Sequence, residues 1–414
     1  MKRRATLGSA EKRLRELFAR GVALDLRVGL PDPGDVSAGA RWTAERQVRA
    51  DLIADLVRGG DAQANSVLSV AGARIVGALD LRHARITGPL ILEDCYFDEP
   101  PDLTEANAVS VCFAGSRLPS LTCDGLRLDR DIDLRGVDSG RIDLFGIHVG
   151  GRVWLQGAHV RSSGDEWALN APDLTVDSGM YCRGVRVDGG LNIYGATIGS
   201  TLDLAEAKLS NPGGMALRAP GITVRFDMSC GGCAVAGTVD LFGAQIGGQL
   251  WLGSAQLNSE GPDWALSAPL LKVGGGMYCN NGFSAAGGVN LFGAAIGSTL
   301  EFAEATLSNL GSKALRDPGC TVEADMTFTK GFSVTGSIDL SGARIGGQLH
   351  LADATFTDSA ADLRNSDIRV LSGEPSSWPD VIRLNEMTYT VIEPYLTARQ
   401  WLRWLQRDPD GYQP

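Results

Sequence analysis

Apolar and polar residues alternate along this chain in short bursts that recur at a fixed interval. The pattern A-x-I-x-G-x-L-x-L begins at Ala73 and again at Ala84, an 11-residue step. Alternation over so few residues predicts strands of about three to five residues, each followed by a turn. The same pattern continues at 132–134, 142–144 and 153–155. The chain is therefore predicted to consist of many short strands.

A longer repeat groups these strands into units of about 49 residues. Equivalent segments begin at Val153, Leu202, Leu250, Leu300 and Leu349. Alternate units match best, so that 151–182 aligns with 248–279. Each unit holds eight alternating segments, which predicts two four-sided coils whose inward apolar residues form ladders. From 69 to 371 we expect an all-β parallel solenoid of about a dozen coils, on the order of 55–60 Å long at one strand spacing per coil.

Both ends of a solenoid expose an apolar cross-section, so caps are expected there. In the N-terminal cap, 1–68, we predict a helix around 10–20 and a second helix that begins after Thr43 and ends at 59–60. In the C-terminal cap, 372–414, we predict a short basic amphipathic helix at 397–407. This helix is interpreted as a cap, with a membrane-surface or partner helix as the alternative.

Composition and charge narrow the class of protein. Glycine contributes 53 of 414 residues, an excess that corners and close backbone approaches of a coil would explain. The net charge of −11 disfavours direct binding to nucleic acid. Because neither a secretory signal nor a membrane-spanning stretch is found, the cytoplasm is the expected location.

Cys230 and Cys233 form a Cys-x-x-Cys motif, the spacing of a dithiol redox site. Cys230 aligns with Cys182, Cys279 and Phe328 of other units, which indicates an inward packing position. The motif does not open a helix, and neither a second cysteine pair nor nearby histidines complete a zinc site. We therefore interpret the pair as core, with a redox site as the alternative, and predict no metal or cofactor.

A polar row recurs in the middle of one strand of each unit. Its members are Asp143, Asn192, Asp240, Asn290 and Asp339. Since each lies between two inward aliphatic residues, the row is expected to point outward. If two coils separate successive members, they repeat about every 10 Å, too far apart to share a metal ion. The row is interpreted as a solubilising stripe, with regular presentation of negative charge as the alternative.

Aromatic residues form two further rows. Two positions after the polar row stand Phe145, Tyr194, Phe242 and Phe292, with Ser341 in the last unit. The other row reads Trp154, Asp203, Trp251, Glu301 and His350. Because Asp203 and Glu301 occupy the positions equivalent to the tryptophans, this row is predicted to lie outside the core. Exposed aromatic rows favour recognition of a protein or a sugar, although stacked aromatics also serve stability alone.

The repeats resemble two known groups of proteins. The ladder of leucine, phenylalanine and alanine resembles pentapeptide-repeat proteins, which implies a right-handed, four-sided β-helix. The segments 84–88 and 342–351 and the tail 399–414 resemble actinobacterial proteins labelled membrane-associated oxidoreductase. That resemblance implies further helices and membrane segments after this tail, which would make the chain a truncated soluble part held at the inner face of a membrane.

Three function classes follow. The leading one is a non-catalytic scaffold or recognition module that binds a protein partner through the aromatic and acidic rows. The second is an acidic mimic of DNA that binds a DNA-handling protein, as the acidic quinolone-resistance pentapeptide proteins do when they imitate DNA. The third is an enzyme, either the oxidoreductase of the family label or a carbohydrate-active enzyme. No dinucleotide, phosphate-loop or nucleophile motif supports the third class, and the long loops offer it only Asp165, Glu166, Glu260 and Asp263.

Overall fold

The computed structural model describes residues 7–28, 35–59, 67–162, 164, 167–259, 264–395 and 397–409. Contacts divide the chain into two units, Met1–Gly199 and Ser200–Pro414. Each unit is an all-β parallel solenoid, which confirms the predicted fold class. The α-helices are Ser9–Ala19, Ala50–Arg58 and Ala398–Leu405, and the 3-10 helices are Val36–Arg41, Ala44–Arg46 and Pro375–Ser377.

Each solenoid turn carries short strands at four successive positions, here numbered one to four. In one turn of the first unit they are Ile132–Asp133, Asp138–Ser139, Ile142–Asp143 and His148–Val149. Each strand pairs in parallel with the strand at the same position in the next turn, as Ile132 does with Val153. The right-handed sense and the flat sides of the coil stay predictions.

In the first unit the four positions are occupied as follows. Position one holds Leu24–Asp25, Leu68–Ala71, Leu90–Glu93, Val111–Cys112, Ile132–Asp133, Val153–Trp154 and Met180–Tyr181. Position two holds Gln47–Arg49, Arg74–Val76, Tyr96–Phe97, Arg117–Leu118, Asp138–Ser139, His159–Arg161 and Arg186–Asp188. Position three holds Leu121–Thr122, Ile142–Asp143, Leu169–Asn170 and Leu191–Asn192. Position four holds Arg85–Ile86, Asn107–Ala108, Arg127–Leu128, His148–Val149, Thr175–Val176 and Thr197–Ile198.

In the second unit some strands run through a corner and serve two positions. Position one holds Leu202–Asp203, Met228–Ser229, Leu250–Trp251, Met277–Tyr278, Leu300–Glu301 and Met326–Phe328. Position two holds Gln256–Asn258, Ser284–Ala286 and Thr355–Thr357, and position three holds Leu266–Ser267, Val289–Asn290, Ala360–Asp362 and Val381–Arg383. Position four holds Thr223–Val224, Gln245–Ile246, Lys272–Val273, Ala295–Ile296 and Thr321–Val322. Positions two and three share Lys208–Arg218, Ala234–Asp240, Thr306–Arg316 and Ser333–Asp339, and positions four and one share Arg344–Leu351, Asp367–Ser372 and Thr388–Glu393.

The core of each unit is a set of inward ladders. At position one of the first unit, Val111, Ile132, Val153 and Met180 stack in successive turns and are fully buried. Removing one such side chain from water contributes about 1.5–3 kcal/mol. Alternation places every second residue of a two- or three-residue strand in this core, which is why such short strands suffice.

Glycines allow successive turns to approach closely, as predicted. Gly247, Gly274 and Gly297 follow position four in consecutive turns of the second unit. A Cβ added to Gly274 would lie 2.3 Å from the carbonyl oxygen of Gly247, and one added to Gly297 would lie 2.2 Å from that of Gly274. No side chain fits between these turns without a backbone shift.

The N-terminal segment differs in part from the prediction. The first helix, Ser9–Ala19, is confirmed, and it contacts the strands Leu24–Asp25 and Leu68–Ala71. Thr43 precedes the 3-10 helix Ala44–Arg46, but the α-helix begins only at Ala50, so the predicted continuous helix is wrong. The intervening strand Gln47–Arg49 pairs with Arg74–Val76, because the fully buried Val48 extends a solenoid ladder there.

The C-terminal helix Ala398–Leu405 confirms the predicted helix, with Thr397 as its N-cap. Trp404 is buried against Trp378, their ring centres 5.5 Å apart in an edge-on arrangement. Arg407 also donates hydrogen bonds to the carbonyl oxygens of Trp378 and Pro379. These contacts support the interpretation of this helix as a cap.

Strand pairing extends on both sides of the predicted solenoid span. Leu24 pairs with Val70, and Leu371 pairs with Ile392. The boundaries of the caps at 68 and 372 stay predictions. Asp165, Glu166, Glu260 and Asp263, which the enzyme hypothesis would need, lie outside the described residues, as do parts of the N-terminal link and of the C-terminal tail.

Candidate functional site

The turn between positions three and four presents an aromatic ring twice in each unit, with one turn between the two rings. Phe145, Tyr194, Phe242 and Phe292 are 49, 44, 49 and 41% exposed. Their placement outside the core agrees with the prediction from the alternation. These four rings are the largest recurring apolar side chains that the described turns leave open to solvent at this position.

The Asp/Asn row explains how this turn is built. The backbone N–H of Phe242 donates to the Asp240 carboxylate at 3.0 Å, and that of Tyr194 donates to the Asn192 side chain at 3.2 Å. The residue after each ring is glycine with a left-handed φ, as at Gly243 (62°). An Asx side chain that accepts a backbone N–H and a glycine at positive φ together form a tight turn.

Proline occupies the same turn in the intervening coils. Gly146 N–H donates to the Pro172 carbonyl at 3.0 Å, and Asp173 N–H donates to the Tyr194 carbonyl at 2.8 Å, so Phe145, Pro172 and Tyr194 lie in successive turns. We call these three residues the first ridge. Equivalent hydrogen bonds align the second ridge, which consists of Pro220, Phe242, Pro269, Phe292 and Pro318. The prolines are half-buried.

The sequence comparison missed these prolines. A unit of about 49 residues contains two turns, so comparison between units aligns each turn with the second turn after it. The proline turns are therefore not aligned with the aromatic turns. The signal is a proline two residues after the outward strand residue, in 170–172, 218–220, 267–269 and 316–318.

The polar row points outward as expected, but most of its members are covered and are not open to solvent. Asn192, Asn290 and Asp339 are only 4, 7 and 6% exposed, and Asp143 and Asp240 are half-buried. Neighbouring turns lie about 4.8 Å apart, so their side chains cover an outward-pointing side chain on the strand between them. The alternation therefore gave the direction of these side chains correctly but not their exposure.

The carboxylates of this row are also engaged by neighbours. Arg141 pairs with Asp143 at 2.7 Å, and Lys313 pairs with Asp339. Burial is the largest influence on Asp339, but hydrogen bonds from Lys313 and Ser341 outweigh it and lower the pKa of the carboxyl, whereas burial raises the pKa of Asp240. Ser267, Asn290 and Arg316 separate Asp240 from Asp339 along the row. Regular free negative charge, which the DNA-mimic hypothesis needs, is not presented here.

Each tryptophan of the other row stacks on a tyrosine of the next turn. Trp154 lies on Tyr181 with ring centres 4.8 Å apart, and Trp251 lies on Tyr278 at 4.3 Å. Trp251 is 39% exposed, whereas Trp154 is half-buried. The guanidinium carbons of Arg135 and Arg152 lie 5.7 and 5.6 Å from the Trp154 ring, and its indole N–H donates to Asp131 at 3.2 Å.

Stacking of this kind stabilises the solenoid by about 0.5–1.5 kcal/mol per pair. The sequence reasoning missed the tyrosines as partners, although both belong to the repeated Met-Tyr-Cys segment. The tryptophan row therefore has a structural role in the solenoid.

Cys230 and Cys233 are buried members of the core, as predicted. The Cys233 thiol donates to the Leu204 carbonyl oxygen at 2.8 Å. Its hydrogen bond with Cys230 and burial raise the pKa of the Cys230 thiol. A redox-active cysteine needs access and a lowered pKa, so this geometry opposes a dithiol site.

The two thiols are expected to resist alkylation in the native state. Iodoacetamide should modify Cys230 and Cys233 only after unfolding, because both sulfur atoms lie inside the solenoid, and the hydrogen bond with Cys233 and burial raise the pKa of the Cys230 thiol. Mass spectrometry of alkylated peptides, with and without denaturant, measures this. Modification of the native protein at the rate of a free thiol would contradict the assignment to the core.

The described residues contain no group of three or more His, Cys, Asp or Glu side chains placed to hold a metal ion. Among the described helices, none has the length and apolar character needed to cross a membrane.

The oxidoreductase activity and membrane association implied by the sequence resemblance, the protein partner and the cytoplasmic location stay predictions. No protein-family model, no curated protein and no solved structure gives a significant match to this chain.

Proposed function

We propose that this chain is a non-catalytic recognition module that binds its partner through the ridges. The observation that carries the proposal is the exposure of four large rings at one repeated turn. Complete burial of a phenylalanine ring is favourable by about 1.5–3 kcal/mol of free energy. Because these rings are only partly buried in the folded chain, much of this free energy is not gained on folding. Binding a partner would supply it.

A natural comparison within the chain supports this reading. The turn at Ser341 has the same geometry, since its N–H donates to Asp339 at 3.1 Å and the glycine that follows has a φ of 66°. This turn folds with serine in place of an aromatic residue. The ring is therefore not required to build the turn, which favours a role outside folding.

Other readings receive less support from the same residues. The buried Cys230 and Cys233 oppose the redox alternative, and the paired carboxylates of Asp143 and Asp339 oppose the DNA-mimic alternative. The stacked Trp154 and Trp251 contribute to stability first. Phe145, Tyr194, Phe242 and Phe292 are more than two-fifths exposed, which makes them the preferred contact residues.

The test is binding to immobilised peptide and glycan panels by wild-type protein and by the double variant Phe242→Ser with Phe292→Ser. Serine is chosen because Ser341 occupies the same turn naturally. We expect the double variant to lose about tenfold or more in affinity for any ligand that the wild type binds, as truncation of central aromatic contacts does.

Leu310→Ser is the matched control. Leu310 is 74% exposed in the strand Thr306–Arg316, between positions two and three, whereas the ridge turn lies between positions three and four, so this change removes apolar surface without touching the ridges. It should leave binding unchanged. Equal retention of all ligands by the double variant and the wild type would contradict recognition through the second ridge.

A further inference from the structure

The ridges set a fixed spacing between aromatic rings. Phe145 and Tyr194 are two turns apart in the first ridge, as are Phe242 and Phe292 in the second. Hydrogen bonds of 2.8–3.0 Å join the successive turns, so the turns keep the spacing of the strands. Two strand spacings amount to about 9.6 Å.

This spacing distinguishes between the regular conformations of a polypeptide ligand. A polyproline II helix repeats every three residues at about 3.1 Å each, or about 9.3 Å, which differs from the ring spacing by about 0.3 Å. An extended strand repeats its side chains every 6.4–6.8 Å or so, and two turns of an α-helix span about 10.8 Å. The polyproline II period is the closest fit.

The surface chemistry of the ridges agrees with that conformation. Polyproline II segments dock on surfaces lined by aromatic rings, and they lose little entropy because their conformation is already formed. A half-buried ridge proline lies between each pair of exposed rings, as Pro172 does between Phe145 and Tyr194. The smaller proline leaves a notch into which every third residue of the ligand would fit.

Charge gives the ligand a direction at the first ridge. Asp124 occupies the ridge turn one coil before Phe145, since Gly125 N–H donates to the Phe145 carbonyl at 2.8 Å. The Asp124 carboxylate accepts the Phe145 N–H at 3.3 Å, and Asp143, paired with Arg141, lies on the neighbouring strand. Exposed Asp173 follows Pro172. Asp124 and Asp143 with one arginine at this end, and Asp173 beside the ridge proline, leave the first ridge acidic, in a chain of net charge −11.

The second ridge lacks this acidic end. The Arg316 guanidinium lies 4.7 Å from the centre of the Phe292 ring, and Arg218 stands beside Asp240 in the strand register. A basic ligand would meet these arginines. Complementary charge fixes orientation and speeds association, so the first ridge is the better site for a basic segment.

We propose that the first ridge binds a proline-rich segment of a partner protein in the polyproline II conformation, with basic residues at the end that meets Asp124. This inference rests on the proposed function and names its ligand class. The probe is a fluorescent peptide of two lysines followed by nine prolines. Two control peptides replace the prolines by a glycine–serine sequence or the lysines by glutamates.

The wild type should bind the lysine–proline peptide about tenfold or more tightly than either control peptide, measured by fluorescence anisotropy. Phe145→Ser with Tyr194→Ser should reduce its affinity by a similar factor, and Asp124→Asn should weaken binding and its dependence on salt. Leu310→Ser should behave as the wild type. Equal affinity for the flexible and the proline peptides would overturn the proposal.

Two further measurements keep the outcome decisive. If the double variant does not fold, wild-type affinity for peptides of three, six and nine prolines replaces it and should rise with each added turn; a flat series would overturn the proposal. A different result would separate the two proposals. If the wild type binds another ligand, such as a glycan, but not the proline peptide, and the ridge variants lose that ligand, the recognition function stands and the proline-rich ligand is contradicted.

Discussion

Replacing Asp317 by alanine together with Cys320 by leucine is expected to raise the free energy of unfolding at pH 7 by about 1–3 kcal/mol. Asp317 is fully buried, and apart from a contact with the Cys320 thiol neither carboxyl oxygen has a hydrogen-bond partner within the described part of the chain. Burial raises the pKa of this carboxyl well above its usual range, so the folded state holds it protonated at a free-energy cost. Ala268 and Leu271 are the buried residues at the equivalent positions of the preceding proline turn. The double substitution places the same two residue types at 317 and 320.

This gain should grow with pH. The unfolded carboxyl ionises near pH 4, whereas the folded carboxyl ionises at a higher pH, so the wild type loses stability as the pH rises above about 4. Urea unfolding at pH 4 and pH 7 measures the difference. Glu323→Ala removes an exposed carboxylate nearby and should change the free energy of unfolding by less than about 0.5 kcal/mol at either pH. A variant that is less stable than the wild type at pH 7 would contradict the account of Asp317.

Gly274→Ala is expected to lower the free energy of unfolding by about 3 kcal/mol. Its Cβ would lie 2.3 Å from the backbone carbonyl oxygen of Gly247, and a backbone atom between two packed turns cannot move aside as a flexible side chain can. The measurement is chemical denaturation followed by far-UV circular dichroism.

Gly282→Ala is the matched control for this substitution. Gly282 has a φ of 82° but nothing within 4 Å of an added Cβ, so alanine there should cost only the strain of the left-handed backbone, about 1 kcal/mol. Equal losses for the two substitutions would show that close approach of the turns is not what requires glycine at Gly274.

The repeated alternation was sufficient to predict the fold, because every turn applies the same rule. An inward residue every second position and a turn after each short strand leave a parallel solenoid as the arrangement that buries all ladders at once. The same regularity assigned Cys230 to the core by comparison with Cys182 and Cys279. The start of the second helix was missed because Val48, which looked helical by spacing, joins a strand ladder.

Features that depend on contacts between turns were harder to predict. Asn192 and Asp339 point outward as expected, yet the turns above and below cover them. The tyrosine under each tryptophan and the proline between two ridge rings also lie one turn away, a distance of about 22–27 residues in the chain. The repeat of about 49 residues spans two turns, so it does not compare a residue with its neighbours in the adjacent turns. The alternation of aromatic residues and prolines in the ridges is seen only when adjacent turns are aligned.

The central claim is that the ridge rings serve binding and not folding. The free energy of unfolding of the double variant Phe242→Ser with Phe292→Ser, measured by urea denaturation without any ligand, tests this most directly. We expect a loss of less than about 1 kcal/mol per ring, which allows for the cation–π contact of Phe292 with Arg316. A loss of about 3 kcal/mol or more per ring, as for a buried phenylalanine, would show that the rings hold the turns together and would contradict the claim.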